Sequence, residues 1–527
     1  MSERMVGASS VRRLRFTIHI AAVLVLAALR MQGAQPPITD RYLDEYFRMF
    51  PTRATEAGRH DFDDALEDLS PKRRAEWVEF NRQSRAQIEE SLGKSDLSLD
   101  ERLDFEALFA QIDRELHLQT VLRRPECDPL YWTSIVGNAT IFLLLRDDLP
   151  LVQRQERARV RSRLLPAFAK AAQENFALVR PEDVSGELCE LAGEQLRAAA
   201  GFYRDGFTKA AGEPADATAD ALTALADELS VLGKKATGSP RLGKNYGQTF
   251  QLGTGLKEDP AEVLSRALAD LSAKKKEAAE FGRSVWAELL PNETKPEDES
   301  VLLRRLFQRV AAERDNDVEE YFARWQANVR AIEKFVREKK IITLPDPLTL
   351  IVDRSPPFFL GQSVGGVYAS GPYAPEAKTL LFLPMPPAQA DDAKRAAFFR
   401  DFNRAFNRMI VPHELIPGHY VQLKFAARHP HKVRAVFPDP IYVEGWGTFC
   451  ERLLLDQGWG GPLERLAHLK KQLENIARTI VDIRVHTENF SRAEVIRFCR
   501  EEALQDEQFA GNMWTRSITS SPQITTY

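Results

Sequence analysis

The chain has 527 residues, enough to bury a large core, and its 44% apolar and 28% charged residues place it among soluble globular proteins. A net charge of −4 gives no basis for a nucleic-acid or anionic-membrane partner. The four cysteines, Cys127, Cys189, Cys450 and Cys499, form no CxxC pair, which argues against a thiolate zinc site or a redox motif.

Arg12, Arg13 and Arg15 precede an apolar run from Phe16 to Leu29. That run has the length of a secretory core segment and falls short of the ~20 residues needed to span a bilayer. Residues 1–34 therefore read as an export signal cleaved after Ala34, with an uncleaved anchor as the alternative. The mature protein is expected to be soluble, periplasmic or extracellular, and free of stable membrane insertion.

Residues 35–340 read as a helical N-terminal region. Leu103, Leu108, Ile112 and Leu116 recur at helical spacing. Asp259-Pro260-Ala261-Glu262 has the pattern of a capping box with proline at the first helical position. Between Leu344 and Pro384 the texture changes. Leu348–Val352, Gly365–Tyr368 and Thr379–Leu383 predict three short strands separated by glycine and proline turns. Helical patterning resumes at about Ala390, with a second capping box at Ser491–Glu494. Residues 341–527 form the expected catalytic region, either apart from 35–340 or in one body with it. The fold class expected is mainly α, with one small sheet ahead of a His-Glu helix. No glycine-rich phosphate loop and no G-x-S-x-G elbow is present.

That helix carries His413-Glu414-Leu415-Ile416-Pro417-Gly418-His419. A catalytic zinc takes three protein ligands and keeps one position for water, and a neighbouring glutamate can serve as base. In His-x-x-x-His the two imidazoles stand about 40° apart on a helix face. Here they are six residues apart, which sets them about 120° apart in an unbroken helix. Pro417 cannot donate its backbone nitrogen, and Gly418 tolerates unusual dihedrals. Together they predict a bulge that returns His419 to His413. The alternative is a helix that ends at Ile416 and leaves the histidines apart.

Glu444, 25 residues after His419, starts a helical run and can present a carboxylate to the same metal. Glu451, two turns further on the same face, can reach the site or orient a ligand histidine. Asp482 and His486 lie one turn apart and can supply a transition-state hydrogen bond and its orienter. Tyr368 is a second candidate to steady an oxyanion, and the strand around Val364–Tyr368 can pair with extended substrate.

His413-Glu414-x-x-Pro417-Gly418-His419-x-x-Gln422 resembles the signature of a large bacterial family catalogued as domain of unknown function 885, grouped with the zinc peptidases called zincins. Glu444-Gly445-Trp446 followed by Glu451 also matches, with Phe449 where that family often has tyrosine. The likeness covers most of residues 38–527. A more distant one is to thimet-type oligopeptidases. It implies His413, His419 and Glu444 as zinc ligands and Glu414 as base, on a zincin-like fold. The family's Pro-x-Gln and Tyr element is matched loosely by Pro522-Gln523 and Tyr527, where this chain stops short of the family's further helical segment. Tyr527 is thereby implied as an oxyanion-stabilising group.

The resemblance implies an exported zinc peptidase acting on peptides in a cleft between helical lobes. Two other readings remain open: a metal-dependent hydrolase of an ester or non-peptide amide, and a binding protein on a catalytically impaired peptidase fold.

Overall fold

The computed structural model describes residues 37–355, 366–386 and 390–527. The expected export signal and residues 364 and 365 lie outside the described residues. No described helix is long and apolar enough to cross a membrane.

Among the described residues the molecule is mainly helical with a single three-stranded sheet. Its first half is built on α1 (Ile38–Met49), α2 (Pro51–Glu56), α3 (Pro71–Leu92), α4 (Leu99–Leu116), α5 (Pro129–Leu145), α6 (Gly186–Gly201) and α7 (Asp216–Lys235). Ser98 caps α4 reciprocally with Glu101, as a serine three residues ahead of a glutamate dictates. After α4 the chain winds through a π-helical turn, His117–Val121. α5 is apolar on nearly all sides and forms the middle of this half's core.

The second half begins with α8 (Tyr246–Thr254), α9 (Pro260–Leu289), α10 (Glu299–Ala312) and α11 (Val318–Lys339). Asp259 caps α9 by accepting from the Ala261 amide at 2.8 Å. Next comes the sheet: β1 (Leu350–Arg354), β2 (Gly366–Tyr368) and β3 (Thr379–Leu383). Its order is β1-β3-β2, with β1 parallel and β2 antiparallel to β3. β3 is buried along its whole length, which explains its continuous apolar run. Among the helices that follow are α12 (Arg404–Glu414), α13 (His419–Arg428), α14 (Pro440–Asp456) and the 26-residue α15 (Pro462–Thr487). The chain closes with α16 (Glu507–Ser520) and a 3-10 turn at Gln523–Thr525.

Among the described residues most buried apolar side chains fall into two large clusters, with a small third at Leu380 and Phe382 of β3. One runs from Tyr42 to Leu229 and takes in Val433 and Phe437; the other runs from Tyr246 to Ile524. The change of texture at Leu344 marks the start of the sheet, whereas the packing changes over between Leu229 and Tyr246. Helices α9–α11 share their core with α12–α15 because their apolar faces pack on α15 and α12. His431 and Arg434, just after α13, pair with Asp104 of α4 and tie the two halves together.

Candidate metal centre

His413 sits in the last turn of α12, directly after a proline inside that helix. Pro412 cannot donate to the Arg408 carbonyl. The Trp459 indole does so instead, at 2.9 Å, while the Arg408 guanidinium lies over the Trp459 ring. The helix thus survives its proline and carries His413 into the interior, where it is 2% exposed.

Between the two histidines the helix does not bulge; it stops. α12 ends at Glu414, residues 415–418 are non-helical with a cis Ile416–Pro417 bond, and α13 starts at His419. The expected bulge within one helix is therefore corrected to a break followed by a new helix. Gly418 is the physical reason the chain can turn so sharply. A β-carbon there would lie 1.9 Å from the His413 carbonyl oxygen and 2.3 Å from that of Pro412. The backbone crosses over the end of α12 and reverses, and His419 returns to His413. Their rings are 4.7 Å apart and nearly perpendicular.

α14 lies across this break. Asp439 caps it, and Trp446 donates to the Pro417 carbonyl at 2.9 Å, pinning α14 to the connection. Gly447 lets α14 lie on the His413 ring, and Glu444 reaches both imidazoles. One carboxylate oxygen of Glu444, Oε2, is 3.5 Å from Nε2 of His413 and 3.5 Å from Nε2 of His419. These separations are too long for good hydrogen bonds. They match the roughly 3.4 Å edge of a tetrahedron whose centre lies about 2.1 Å from each ligand atom. All three ligand atoms lie within 4.8 Å of one another, and Glu444 Oε2 is buried without a hydrogen-bond partner. The donor set fits a metal ion of zinc's size.

Behind this trio, Glu451 accepts from His413 Nδ1 at 2.8 Å and from His468 Nδ1 at 2.9 Å. It is fully buried. Bonding at Nδ1 leaves His413 Nε2 to face Glu444 and the site. Burial opposes a charge on His413, but the Glu444 and Glu451 carboxylates outweigh it and lift its pKa to about 10. Burial raises the pKa of Glu451, yet its two histidines outweigh that and draw it down to about 2. Glu444 is likewise held well below the usual carboxylate range by His413 and His419 against the effect of burial. Without a metal, the Glu444 and Glu451 carboxylates are set against a protonated His413, and a divalent cation can take the place of that proton.

Glu414 lines a cleft of about 370 Å³ together with His413 and Tyr527. The Tyr527 ring stacks over that of His413 at 6.4 Å and 15°, and its other contacts fix it: the Arg478 guanidinium lies 4.4 Å from the ring and Gln523 donates to its hydroxyl at 3.3 Å. Gln523 also reaches Glu444, at 3.5 Å. The closing segment is therefore part of the site.

Three predicted residues are not brought there. His486 is buried elsewhere: its Nδ1 accepts from the Leu242 amide and its Nε2 donates to the Ser517 carbonyl, both at 3.0 Å. Its ring stacks on Tyr246, and burial draws its pKa down to about 4. Both nitrogens are committed to holding backbone, which leaves none for an oxyanion. Asp482 does not orient it. Its Oδ1 is 3.7 Å from His486 Nε2, while Oδ2 accepts from Tyr246 and Ser521. Tyr368 packs between Phe142 and Phe382 and lines a different cavity.

His468 and Gly447 were not singled out from sequence. An isolated histidine 17 residues after Glu451 carries no spacing signal. The Gly447 signal was present as a small residue inside Glu444-Gly445-Trp446-Gly447, where a helix approaches something closely.

The model for the family described as "Bacterial protein of unknown function (DUF885)" matches residues 51–527. Among solved structures, a candidate lipoprotein of unknown function from Shewanella oneidensis is 23% identical, with a TM-score of 0.74, covering 93% of this chain and 90% of that one. A candidate lipoprotein from Colwellia psychrerythraea superposes with a TM-score of 0.72 at 13% identity, again over 93% and 90% of the two chains. These likenesses show a shared fold. No curated protein matches the chain.

Proposed function

Since this chain belongs to the bacterial DUF885 family, whose chemistry its family model leaves open, we propose that it is an exported zinc-dependent hydrolase of peptide bonds. The observation that carries this reading is the convergence of His413, His419 and Glu444, with one Glu444 oxygen 3.5 Å from both Nε2 atoms and all three ligand atoms within 4.8 Å of one another, and with Glu414 in the adjoining cleft. When bound, zinc supplies Lewis-acid activation of water and of the scissile carbonyl.

The protein's own groups do the rest. Glu451 fixes the tautomer and aim of His413. Glu414, at the mouth of the break in the helix, accepts the proton of the attacking water and delivers it to the leaving amine. Tyr527, held by Gln523 and Arg478, directs its hydroxyl at the oxygen that gains charge. The apolar walls of the cleft, among them Phe406 and Phe509, exclude water from around the substrate. β2 is the end strand of the described sheet, and a substrate chain can extend it. Export is supported by the arginine-led apolar run at residues 12–29 and by the likeness to candidate lipoproteins.

The test is metal analysis and hydrolysis of a panel of blocked peptides and matched esters by the wild type and Glu414→Gln. One zinc per chain is expected in both. Loss of about 10²–10⁴-fold in peptide hydrolysis is expected in the variant. Undiminished turnover in Glu414→Gln sinks the proposed base. Absence of bound metal in the wild type sinks the site, and turnover confined to the esters reassigns the bond.

A further inference from the structure

One cavity opens on the candidate metal centre and a second runs along the helices that carry its ligands, and the two differ in charge. The first, lined by His413 and Glu414, is balanced: Lys470, Lys471, Arg478 and Arg516 face Asp401, Glu414, Glu474 and Asp506. The second, of about 600 Å³, is lined by Arg53, Arg114 and Arg146 with Glu56 as its single acid. Its walls include Leu423 and Pro440. Leu423 is four residues after His419 on α13, and Pro440 is four residues before Glu444 on α14. Four residues along a helix return to within about 40° of the same face. The faces that carry two of the three ligands therefore also wall the cationic cavity.

The three arginines are not equivalent. Arg146 gives its guanidinium to the carbonyls of Thr55, Glu56 and Ala369. Arg53 is paired with Glu56 at 2.6 Å. Arg114 makes one side-chain hydrogen bond, to Gln111 at 3.2 Å, and forms no ion pair among the described residues. Burial works against its charge, and the acids that act on it from a distance, Asp439 and Glu115, are already committed. Asp439 caps α14, and Glu115 accepts from Trp77. A partly buried guanidinium with open donors, facing a cavity of ligand size, has the chemistry to take up an anion.

We propose that Arg114 anchors a carboxylate-binding subsite, which holds the free carboxylate of a short peptide in the cavity walled one helical turn from His419 and from Glu444. This rests on the peptidase reading and names the substrate class it implies: peptides that end in, or carry close to their end, a carboxylate.

The test is calorimetric binding to the zinc-loaded full chain carrying Glu414→Gln, which keeps the ligand set. Three probes are compared: acetyl-Ala-Phe-Ala as the free acid, the same peptide as its C-terminal amide, and amidated acetyl-Ala-Phe-Asp. The free acid is expected to bind about ten- to a hundredfold more tightly than the neutral amide. Recovery by the aspartyl amide assigns the site to side-chain carboxylates as well; no recovery restricts it to the chain end. Adding Arg114→Gln should erase the difference. Equal binding of acid and neutral amide overturns the proposal. So does a preference that persists in Arg114→Gln, because the carboxylate is then held by the metal. Should Arg114→Gln melt early, hydrogen exchange on the protein with Arg114 intact decides instead. Residues 111–122 should gain protection with the acid and not with the amide, and no gain overturns the assignment. Chromatography of the recovered probes reports separately whether Glu414 is the base.

Discussion

Gly447 lies with its Cα against the imidazole of His413, so that a β-carbon there would stand 2.7 Å from Cε1 and 2.8 Å from Nε2 of the ring. Both Gly447 and the ring are buried, and the ring is held from its other side by Glu451. A methyl group has to push the imidazole or α14 away. Gly447→Ala is expected to weaken zinc binding by tenfold or more while leaving the helical circular dichroism unchanged. Zinc affinity equal to that of the wild type would show that the contact does not set the site.

Glu451 acts through His413 and is a positioning residue. Glu451→Gln keeps the shape but loses the charge that two histidines share. Loss of such an orienting carboxylate typically lowers metal affinity about 10–100-fold. The expected signature is a fall in zinc affinity with kcat largely restored at saturating zinc, whereas Glu414→Gln should bind zinc normally and stay inactive. Chelator competition and zinc-titrated kinetics separate the two.

Zinc uptake should depend steeply on pH. In the metal-free protein His413 is held protonated up to about pH 10 by Glu444 and Glu451. A metal must displace that proton, so one proton is released on binding and affinity should rise about tenfold per pH unit from pH 6 to 9. A histidine with an ordinary pKa would level off above pH 7. Chelator competition at four pH values measures the slope, and a flat profile above pH 7 contradicts the assigned environment.

His486 should matter for stability and for its pH dependence. Its pKa is about 4 when folded against 6.5 when unfolded. The unfolded chain therefore takes up its proton first on acidification. The stability contributed by neutral His486 is complete above pH 6.5 and is lost as the pH falls toward 4, by about 3 kcal/mol in all. Melting curves of His486→Gln should lack this component, and the folded variant should keep its zinc. Loss of zinc in a variant that still folds would return His486 to the site.

Much of this was legible in the sequence. Glutamate and histidine types, their spacing and the proline-glycine pair marked the region of the candidate site, and the short β-rich runs marked all three strands within two residues at their ends. Helix periodicity and the capping box at Ser491–Glu494 are local, so they read directly from neighbouring residues. What periodicity could not give was the outcome at Pro417. Pro417 and Gly418 are compatible with either a bulge or a break, and the choice rests on contacts made by distant residues. Trp446 holds the Pro417 carbonyl from α14, and Trp459 repairs the bond missing at Pro412.

The same division runs through the candidate site. By itself the sequence determined which side chains can ligate a metal and that they stand in helical segments, because chemistry and helical spacing are properties of the local chain. Only the tertiary structure decided that His413 and His419 converge across a broken helix, that Glu451 bridges to His468, and that His486 spends both nitrogens on backbone. Those outcomes depend on which helices cross, and crossing is set by burial of apolar faces far apart in the chain.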